Sequence, residues 1–252
     1  MKLQFLGSGA AFVPITENYQ SNMILESFSG RKLLIDCGTD ARHSLKAAQL
    51  SYKDIDAIYI SHFHADHVGG LEWLAFRTKF ETDFRPKLYI HPSMVTNLWE
   101  KVLRGGLESL RGAKASLEDY FDVQVILDGK YFIWESLQFE LIKTTHIYNG
   151  PKLIPSYGLF IKDKNTNLFI TTDTRFIPDE FMKYYQSAHL IFHDCELSQK
   201  PSGVHTRFSE LVLLEPDIKS KIWLYHYTAD VLPDALAHGF KGFVQRGQQF
   251  IF

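Results

Sequence analysis

The sequence predicts an α/β fold in which two β-sheets pack face to face and helices cover their outer sides. Short apolar runs typical of strands occur in both halves of the chain, and helix-like segments lie between them. Histidines and aspartates follow several of these runs, where an α/β fold normally places its functional site. We therefore expect a four-layer αββα sandwich, formed as one domain over residues 1–252 because no linker separates the candidate site residues.

The first third of the chain is predicted to be rich in strands. Short β-like runs bounded by glycine, serine or proline predict strands at 3–6, 22–25, 32–35, 57–60 and 87–90. The run over 40–50 repeats apolar residues on one helical face and predicts a helix. A second helix is predicted over 70–77, directly after a histidine-rich segment.

The rest of the chain alternates helical and strand-like patterns. Residues 93–120 are predicted to be helical, with interruptions at Gly105-Gly106 and Gly112, and to serve packing or dimer formation rather than chemistry. Further apolar runs predict strands at 138–143, 158–161, 168–171, 190–192 and 222–225. Helices are expected over 179–185 and 207–214.

Composition excludes several classes of protein. A net charge of -2 argues against a molecule that binds nucleic acid through its overall charge. Cys37 and Cys195 are the two cysteines, and they do not suggest a disulfide framework. We expect Cys37 to be a buried free thiol and Cys195 to be a neighbour of the candidate site rather than a ligand. The N-terminus resembles a strand rather than a signal peptide, and no apolar run approaches the roughly 18 residues of a membrane span. We expect a soluble cytoplasmic protein with no membrane partner.

The most informative motif is His62-x-His64-x-Asp66-His67. It lies between a predicted strand and a predicted helix, so that all of its strong donors are in one tight loop. Imidazoles and a carboxylate suit zinc, manganese or iron(II). Catalytic sites for these metals keep positions open for water and substrate. The motif therefore predicts a catalytic metal site.

This motif resembles the signature loop of the metallo-β-lactamase superfamily. The other motifs of that superfamily follow in the right order over nearly the whole chain. An aspartate closes an early strand at Asp36, and a histidine follows a later strand at His146. Asp173 ends another strand, and His226 follows the last apolar run. The resemblance implies the four-layer sandwich that the strand pattern also predicts.

The resemblance further implies a centre with two divalent metal ions, with zinc expected first and manganese as the alternative. The ligands of the first ion would be His62, His64 and His146, those of the second Asp66, His67 and His226, and Asp173 would bridge the two. A metal-bridging hydroxide would be the nucleophile, in a geometry suited to attack on phosphorus. Asp66 is also counted among the catalytic residues.

A second set of residues narrows the expected reaction. The segments 191–197 and 203–206 resemble late motifs of the phosphodiesterase branch of the superfamily, which includes ribonuclease Z. By that resemblance His205 would be the acid that stabilises the phosphate, and Asp194 would orient it. Glu196 is an alternative orienting residue that the sequence does not separate from Asp194.

The expected substrate is a small nucleotide phosphodiester. Ribonuclease Z carries a long basic arm that grips tRNA, and the sequence contains no such insertion; the loop 14–22 has no basic residue. The chain is most similar to compact, cyclic-nucleotide-degrading phosphodiesterases of the anti-Pycsar type, which implies hydrolysis of cyclic mononucleotides and a homodimer. Candidate base-stacking residues on site-facing loops are Tyr19, Phe63, Tyr148 and Tyr157.

Three alternatives stay open at this point. The first is a tRNA 3′-processing endonuclease like ribonuclease Z, for which tRNA would be the partner. The second is another hydrolase of the superfamily, such as a lactonase, although His205 and Asp194 argue against it. The third is a metal-free binding or scaffold protein, against which the full ligand set argues.

Overall fold

The computed structural model describes residues 1–229 and 231–252, which divide into two compact units. The N-terminal unit contains residues 1–7, 14–128 and 246–252, and the C-terminal unit contains residues 8–13 and 129–245. Each unit contains its own seven-stranded sheet. The predicted α/β class is confirmed, and the expectation of a single domain stays a prediction.

The N-terminal unit is built on a mixed sheet. Its strands are β1 (Lys2–Phe5), β2 (Met23–Glu26), β3 (Lys32–Ile35), β4 (Ala57–Tyr59), β5 (Lys87–Ile90), β8 (Asp122–Val125) and β18 (Gln249–Ile251), with β6 (Ser109–Leu110) and β7 (Ala113–Lys114) forming a separate hairpin. The strand order is β18-β1-β2-β3-β4-β5-β8, and the strands from β3 to β8 run parallel. The three residues of β4 are all buried, as expected for a central parallel strand with both faces covered.

The helices of this unit are short apart from one. They are α1 (Ala41–Ala47), α2 (Ala65–Val68), α3 (Leu71–Thr82), α4 (Pro92–Asn97) and α5 (Arg104–Leu107), with π-helical turns at Leu98–Leu103 and 3₁₀ turns at Tyr52–Asp54 and Leu117–Asp119. The predicted end of α3 at Arg77 is too early, because Thr78 continues its buried face. The helix ends where Asp83 adopts a left-handed backbone with φ 53°.

The predicted helix over 93–120 is wrong in its second half. The helical path runs on through α4, the π-helical turns and α5, so Gly105-Gly106 lie inside it rather than interrupting it. Gly106 lies next to the carboxylate of Glu72 on α3, so a side chain at this position would require Glu72 to move. After α5 the chain forms the β6–β7 hairpin, and Gly112 supplies its turn with φ 76°.

The C-terminal unit repeats the mixed arrangement. Its strands are β9 (Tyr131–Trp134), β10 (Leu137–Lys143), β13 (Tyr157–Lys162), β14 (Asn167–Ile170), β15 (Leu190–Asp194), β16 (Ile222–Tyr225) and β17 (Gly242–Phe243), with β11 (Tyr148–Asn149) and β12 (Lys152–Leu153) as a separate hairpin. The order is β17-β16-β15-β14-β13-β10-β9, and the strands from β14 to β17 run parallel. The helices are α6 (Pro178–Ser187), α7 (Phe208–Leu211) and α8 (Pro216–Lys219), so the predicted helix over 207–214 is shorter than expected.

The parallel strands explain why candidate ligands occur in two groups along the sequence. Parallel neighbours bring their carboxyl ends to one edge of a sheet, and each sheet has one such set. At these ends the backbone takes unusual conformations: Asp36 after β3, Thr172 after β14 and His226 after β16 have φ values of 61°, 52° and 61°. For a β-branched residue such as Thr172 this conformation is strained, and strain of this kind clusters at functional sites.

The structure bears on two expectations from composition, the state of the cysteines and the absence of a membrane-spanning helix. Cys37 is free and buried, as predicted, and Cys195 is free and buried as well; burial raises the pKa of each thiol. Among the described residues, no helix has the length and apolar character that a membrane crossing requires.

A buried tyrosine–histidine pair joins α6 to β15. The Tyr185 hydroxyl donates to Nε2 of His193 over 2.8 Å, and Nδ1 of His193 donates to the backbone oxygen of Asp194, also over 2.8 Å. Burial lowers the pKa of His193, which keeps the ring neutral and agrees with one donor and one acceptor nitrogen. The pair therefore supports the strand end at Asp194 from inside the core.

We predict that Tyr185→Phe destabilises the protein by about 1–3 kcal/mol, because it leaves a buried nitrogen of His193 without its donor. Urea unfolding followed by tryptophan fluorescence measures this loss. Tyr184→Phe is the matched control, since the Tyr184 hydroxyl contacts Glu140 over 3.0 Å in a half-buried position. An equal loss of stability in both variants would contradict the special role of the Tyr185 bond.

Candidate metal centre

In the N-terminal unit the loop after β4 collects four donor side chains. Residues 60–64 connect β4 to α2, and His64 occupies the N-cap position of that helix. Asp66 and His67 follow within α2 and are buried, as is His62, whereas His64 is half-buried. The order strand, loop and helix agrees with the prediction, but the expectation that all donors lie in the loop is wrong, because α2 begins at Ala65 and contains Asp66 and His67.

Ser61 determines which nitrogen of His62 can bind a metal. The backbone nitrogen and the hydroxyl of Ser61 both donate to the carboxylate of Asp36, over 2.8 and 2.7 Å. Because the hydroxyl proton is used in this way, the Ser61 oxygen accepts from Nδ1 of His62 over 3.0 Å. Nε2 of His62 therefore keeps its lone pair.

Asp36 also orients His67. Its Oδ2 accepts a hydrogen bond from Nδ1 of His67 over 2.7 Å, and the Asp36 side chain is 1% exposed. A carboxylate on one ring nitrogen of a ligand histidine fixes the ring and makes the other nitrogen a better ligand. The sequence identified Asp36 only as a family motif, and the structure assigns this contact to it.

The donor atoms of this loop and of α2 have the separations expected of metal ligands. Two donors that are each about 2.0–2.1 Å from a tetrahedral zinc ion lie roughly 3.3 Å apart. Nε2 of His62 lies 3.1 Å from Nδ1 of His64. Nε2 of His67 lies 3.2 Å from Oδ2 of Asp66. The loop thus provides one donor pair, His62 with His64, and α2 provides a second, Asp66 with His67.

In the C-terminal unit His146 and Asp173 form a third donor pair. His146 follows β10 and is fully buried, and its Nδ1 donates to the backbone oxygen of Val204 over 2.8 Å. Its Nε2 lies 3.7 Å from Oδ2 of Asp173. Burial lowers the pKa of His146, although the carboxylate of Asp173 opposes this, so the ring is in the neutral form that metals require.

His226 faces the other oxygen of Asp173. Its Nε2 lies 3.4 Å from Oδ1 of Asp173, and its Nδ1 lies 3.3 Å from Oδ1 of Asp194. The backbone nitrogen of His226 donates to the oxygen of Ser8 over 2.8 Å and so fixes its left-handed conformation. The two oxygens of Asp173 thus face two different histidines, which is the arrangement that a bridging carboxylate needs.

His205 lies beside these ligands and is held by Asp194. Nδ1 of His205 is 2.8 Å from Oδ2 of Asp194 and 4.0 Å from Oδ2 of Asp173. Burial opposes both charges of the pair, but their attraction prevails. The pKa of Asp194 is held at about 2 by His205 and His226, and the pKa of His205 is raised by Asp194.

Glu196 is directed elsewhere. Its Oε1 accepts a hydrogen bond from the backbone nitrogen of Ser202 over 2.8 Å, whereas Asp194 contacts His205 directly. Asp194, His205, His226 and Asp173 form one cluster, in which one donor atom of each residue lies within 4.8 Å of the others. The contacts of His205 therefore distinguish between the two carboxylates that the sequence left open.

The donor sets fit divalent metal ions. Each of the candidate ligand histidines His62, His67, His146 and His226 uses one ring nitrogen for a protein partner and directs the other at a second donor. This division of the two ring nitrogens is the common pattern of metal-binding histidines. Imidazole and carboxylate donors are compatible with zinc, manganese and iron, so they specify a divalent ion without specifying which one.

The structure separates the aromatic candidates and adds one residue that the sequence did not single out. Tyr19 and Tyr157 are buried, Phe63 is half-buried, and Tyr148 is exposed on β11. Arg175, two residues after Asp173, lies over the Tyr148 ring. Its only signal in the sequence is its position next to the predicted bridging aspartate.

The family profile described as "Anti-Pycsar protein Apyc1" matches residues 1–250. The chain belongs to this family. An anti-Pycsar protein Apyc1 from Paenibacillus sp. strain J14 is 40% identical over 234 residues, which cover 92% of this chain and 91% of the relative. Membership of the family confirms the resemblance that the motifs indicated.

Solved structures establish the fold. The metallo-β-lactamase fold protein YhfI from Bacillus subtilis is similar with a TM-score of 0.78 at 17% identity, covering 99% of this chain and 98% of its own. The short form of human tRNase Z is similar with a TM-score of 0.73 at 18% identity, covering 100% and 99%. The predicted metallo-β-lactamase fold is thus confirmed.

We predict that Asp36→Asn lowers metal affinity by about 10–100-fold, because it removes the charge that orients His67 and the Ser61 loop. Asparagine has the same size and tolerates the left-handed backbone of position 36. Competition with a chromophoric chelator for zinc or manganese measures the affinity.

The matched control is Asp56→Asn. Asp56 precedes β4, at the opposite end from the ligand loop, and accepts a hydrogen bond from the Lys32 nitrogen over 2.8 Å. We expect the metal affinity of the Asp56→Asn variant to equal that of the wild type. Unchanged affinity in Asp36→Asn would show that His67 needs no orienting carboxylate.

Proposed function

We propose that this protein is a metal-dependent phosphodiesterase that hydrolyses small cyclic nucleotides, cyclic mononucleotides first among them. Membership of the Anti-Pycsar protein Apyc1 family supports the proposal, because the motifs resemble those of cyclic-nucleotide-degrading enzymes of the anti-Pycsar type. The histidine and aspartate clusters support a hydrolase that uses divalent ions.

The contact between His205 and Asp194, next to Asp173, is the observation that carries the proposal. The His205 imidazole lies 4.0 Å from the carboxylate of Asp173, a proposed metal ligand. It is therefore close enough to contact a phosphate bound next to Asp173. There it can stabilise negative charge on phosphate oxygens and donate a proton to the leaving oxygen. Asp194 holds the ring in this orientation over 2.8 Å. A lactone substrate has no phosphate for such a group to meet.

The ligand assignment follows the family resemblance. We assign to one ion His62, His64 and His146, to the other Asp66, His67 and His226, and to both Asp173. Bound divalent ions would stabilise negative charge on the phosphoryl group and lower the pKa of water towards neutrality. We propose zinc first and manganese second, because the donors accept both. The homodimer and the cytoplasmic location stay predictions.

The protein's own residues divide the remaining tasks. The ligand histidines keep their neutral form through the partners of their second nitrogens, as with Val204 for His146. His205 moves a proton at the leaving oxygen, and Asp194 keeps its ring in place. Within the C-terminal unit, Asp194 ends β15 and His226 follows β16, so both lie at the carboxyl ends of neighbouring parallel strands.

We predict that zinc- or manganese-loaded protein opens a cyclic mononucleotide, and that His64→Ala, which removes one ligand, lowers this activity by at least about 100-fold. The measurement is a substrate panel read by chromatography. It contains purine and pyrimidine 3′,5′-cyclic mononucleotides, a cyclic dinucleotide, an aryl phosphodiester and a 3′-extended tRNA.

The panel also separates the alternatives. Selective cleavage of the tRNA would replace the proposal with RNA processing. Absence of metal from purified protein, even after reconstitution, would favour a binding or scaffold protein. Hydrolysis of lactones, with equal activity after His205→Ala, would indicate a different hydrolase of the same fold.

A second prediction tests the roles of the two carboxylates near His205. We expect His205→Ala to lower kcat by about 10²–10⁴-fold while metal content stays at the wild-type level. Asp194→Asn should lower both kcat and metal affinity, because Asp194 contacts His226 as well as His205. Steady-state kinetics and elemental analysis of the same preparations measure both quantities.

Glu196→Gln is the matched control. We expect it to keep wild-type kcat, because the Glu196 side chain bonds to Ser202 instead of His205. A loss of activity in Glu196→Gln as large as in Asp194→Asn would refute this assignment. Loss of metal from His205→Ala would make His205 a ligand rather than an acid.

A further inference from the structure

Arg175 is tied to the loop that carries the ligand His146. The backbone nitrogen of Arg175 donates to the oxygen of Thr145 over 2.7 Å, and its Nε donates to the oxygen of His146 over 3.1 Å. The residue is half-buried and lies two positions after Asp173. Its side chain is therefore held at the edge of the ligand set by contacts to backbone atoms.

The guanidinium lies over an exposed aromatic ring. Cζ of Arg175 is 5.2 Å from the centroid of the Tyr148 ring, within the range of a cation–π contact. Tyr148 is 44% exposed and begins the β11–β12 hairpin, two residues after His146. The pair forms a flat, cationic surface beside the ligands, with one face of the aromatic ring covered by the guanidinium.

The donors of Arg175 are only partly used. Arginine has five N–H donors, and Nε uses one of them for His146. Within residues 1–229 and 231–252 no carboxylate forms an ion pair with Arg175. The terminal amino groups are therefore available to a ligand, and the contact of Nε keeps them in a fixed plane.

We propose that Arg175 and Tyr148 form the subsite for the nucleobase of the substrate. This inference rests on the proposed function and extends it to substrate recognition. The phosphate of the substrate would bind at the metal ligands and His205. Arg175 instead contacts the backbone oxygen of His146 and the Tyr148 ring of the β11–β12 hairpin. The group of a nucleotide that lies apart from its phosphate is the base.

The chemistry of the pair suits a base with an acceptor edge. Bases stack on aromatic rings and on guanidinium planes, and stacking tolerates every base. The terminal amino groups of Arg175 add hydrogen bonds to carbonyl or ring-nitrogen acceptors, as offered by guanine or by O2 of a pyrimidine. Tyr148 thus supplies affinity for any base, and Arg175 adds preference among bases.

The test compares a cyclic mononucleotide with its abasic analogue, ribose 3′,5′-cyclic phosphate. For Arg175→Met and Tyr148→Ala we expect KM for the nucleotide to rise about tenfold with kcat within about threefold. KM for the abasic analogue should stay at the wild-type value. Tyr148→Phe, which keeps the stacking ring, should raise the KM for the nucleotide less than Tyr148→Ala does.

A matched control is available on α6. Nζ of Lys183 lies 5.2 Å from the centroid of the Tyr184 ring, the same separation as in the Arg175 pair. Lys183→Met removes this cation–π contact, which is not part of the candidate ligand set. We expect the KM values for both substrates to stay at the wild-type level. Metal content is measured for every variant, since Arg175 also contacts the backbone of His146.

Calorimetry gives a readout that is independent of turnover. The titrants are cytidine 5′-monophosphate and ribose 5-phosphate, added to metal-loaded protein. We expect wild-type protein to bind the nucleotide about tenfold or more tightly than the sugar phosphate, and Arg175→Met and Tyr148→Ala to lose this difference. A change in the fold alone would weaken the binding of both titrants.

The outcomes distinguish this inference from the proposed function. If wild-type protein hydrolyses the nucleotide and both variants keep its KM, the subsite is wrong and the proposed function stands. Equal losses on the nucleotide and on its abasic analogue would make Arg175 a phosphate contact and overturn the subsite. If wild-type protein neither hydrolyses nor binds nucleotides, the proposed function fails and the subsite fails with it.

Discussion

The buried carboxylate of Asp194 is the group on which the chemistry of the C-terminal unit depends. One of its oxygens faces His226 and the other faces His205, so a single side chain orients the proposed ligand and the proposed acid. The backbone nitrogen of Thr174 also donates to this carboxylate, over 3.0 Å. Removing such a group from water is costly, and the surrounding donors offset that cost. The position of Asp194 is secured in turn by the His193 contact beneath it.

In the N-terminal unit, Asp36 is the buried carboxylate that orients a histidine. Both aspartates lie at the carboxyl end of a parallel strand, both are at most 1% exposed, and both orient a ligand histidine while remaining outside the proposed ligand set. The metal ligands are thus only one layer of the site. A second layer of buried carboxylates fixes the rings, and the sheets fix the carboxylates.

The sequence revealed the parts of the site that depend on local order. His62, His64, Asp66 and His67 are adjacent in the chain, and Asp173 and His226 each follow an apolar strand. Contacts that arise from tertiary packing could not be predicted from the sequence. The Tyr185–His193 hydrogen bond forms because α6 packs against β15, and Arg175 contacts Tyr148 because the segments that carry them lie close together in the fold. The sequence does not distinguish Asp194 from Glu196, because residues two positions apart point to the same face of a strand. The structure distinguishes them because β15 ends at Asp194. The hairpin after α5 was missed because leucines at helical spacing outweighed the turn signal of Gly112.

The hydrogen bond from His146 to Val204 has a consequence for how the site assembles. The backbone oxygen of Val204 accepts a hydrogen bond from the His146 ring, and the next residue, His205, contacts Asp194. Ordering of this segment and correct placement of His146 are therefore thermodynamically coupled, and each favours the other. In the proposed assignment, an ion bound by His146 would favour the correct placement of His205, and sites with metal but without a positioned acid would be sparsely populated.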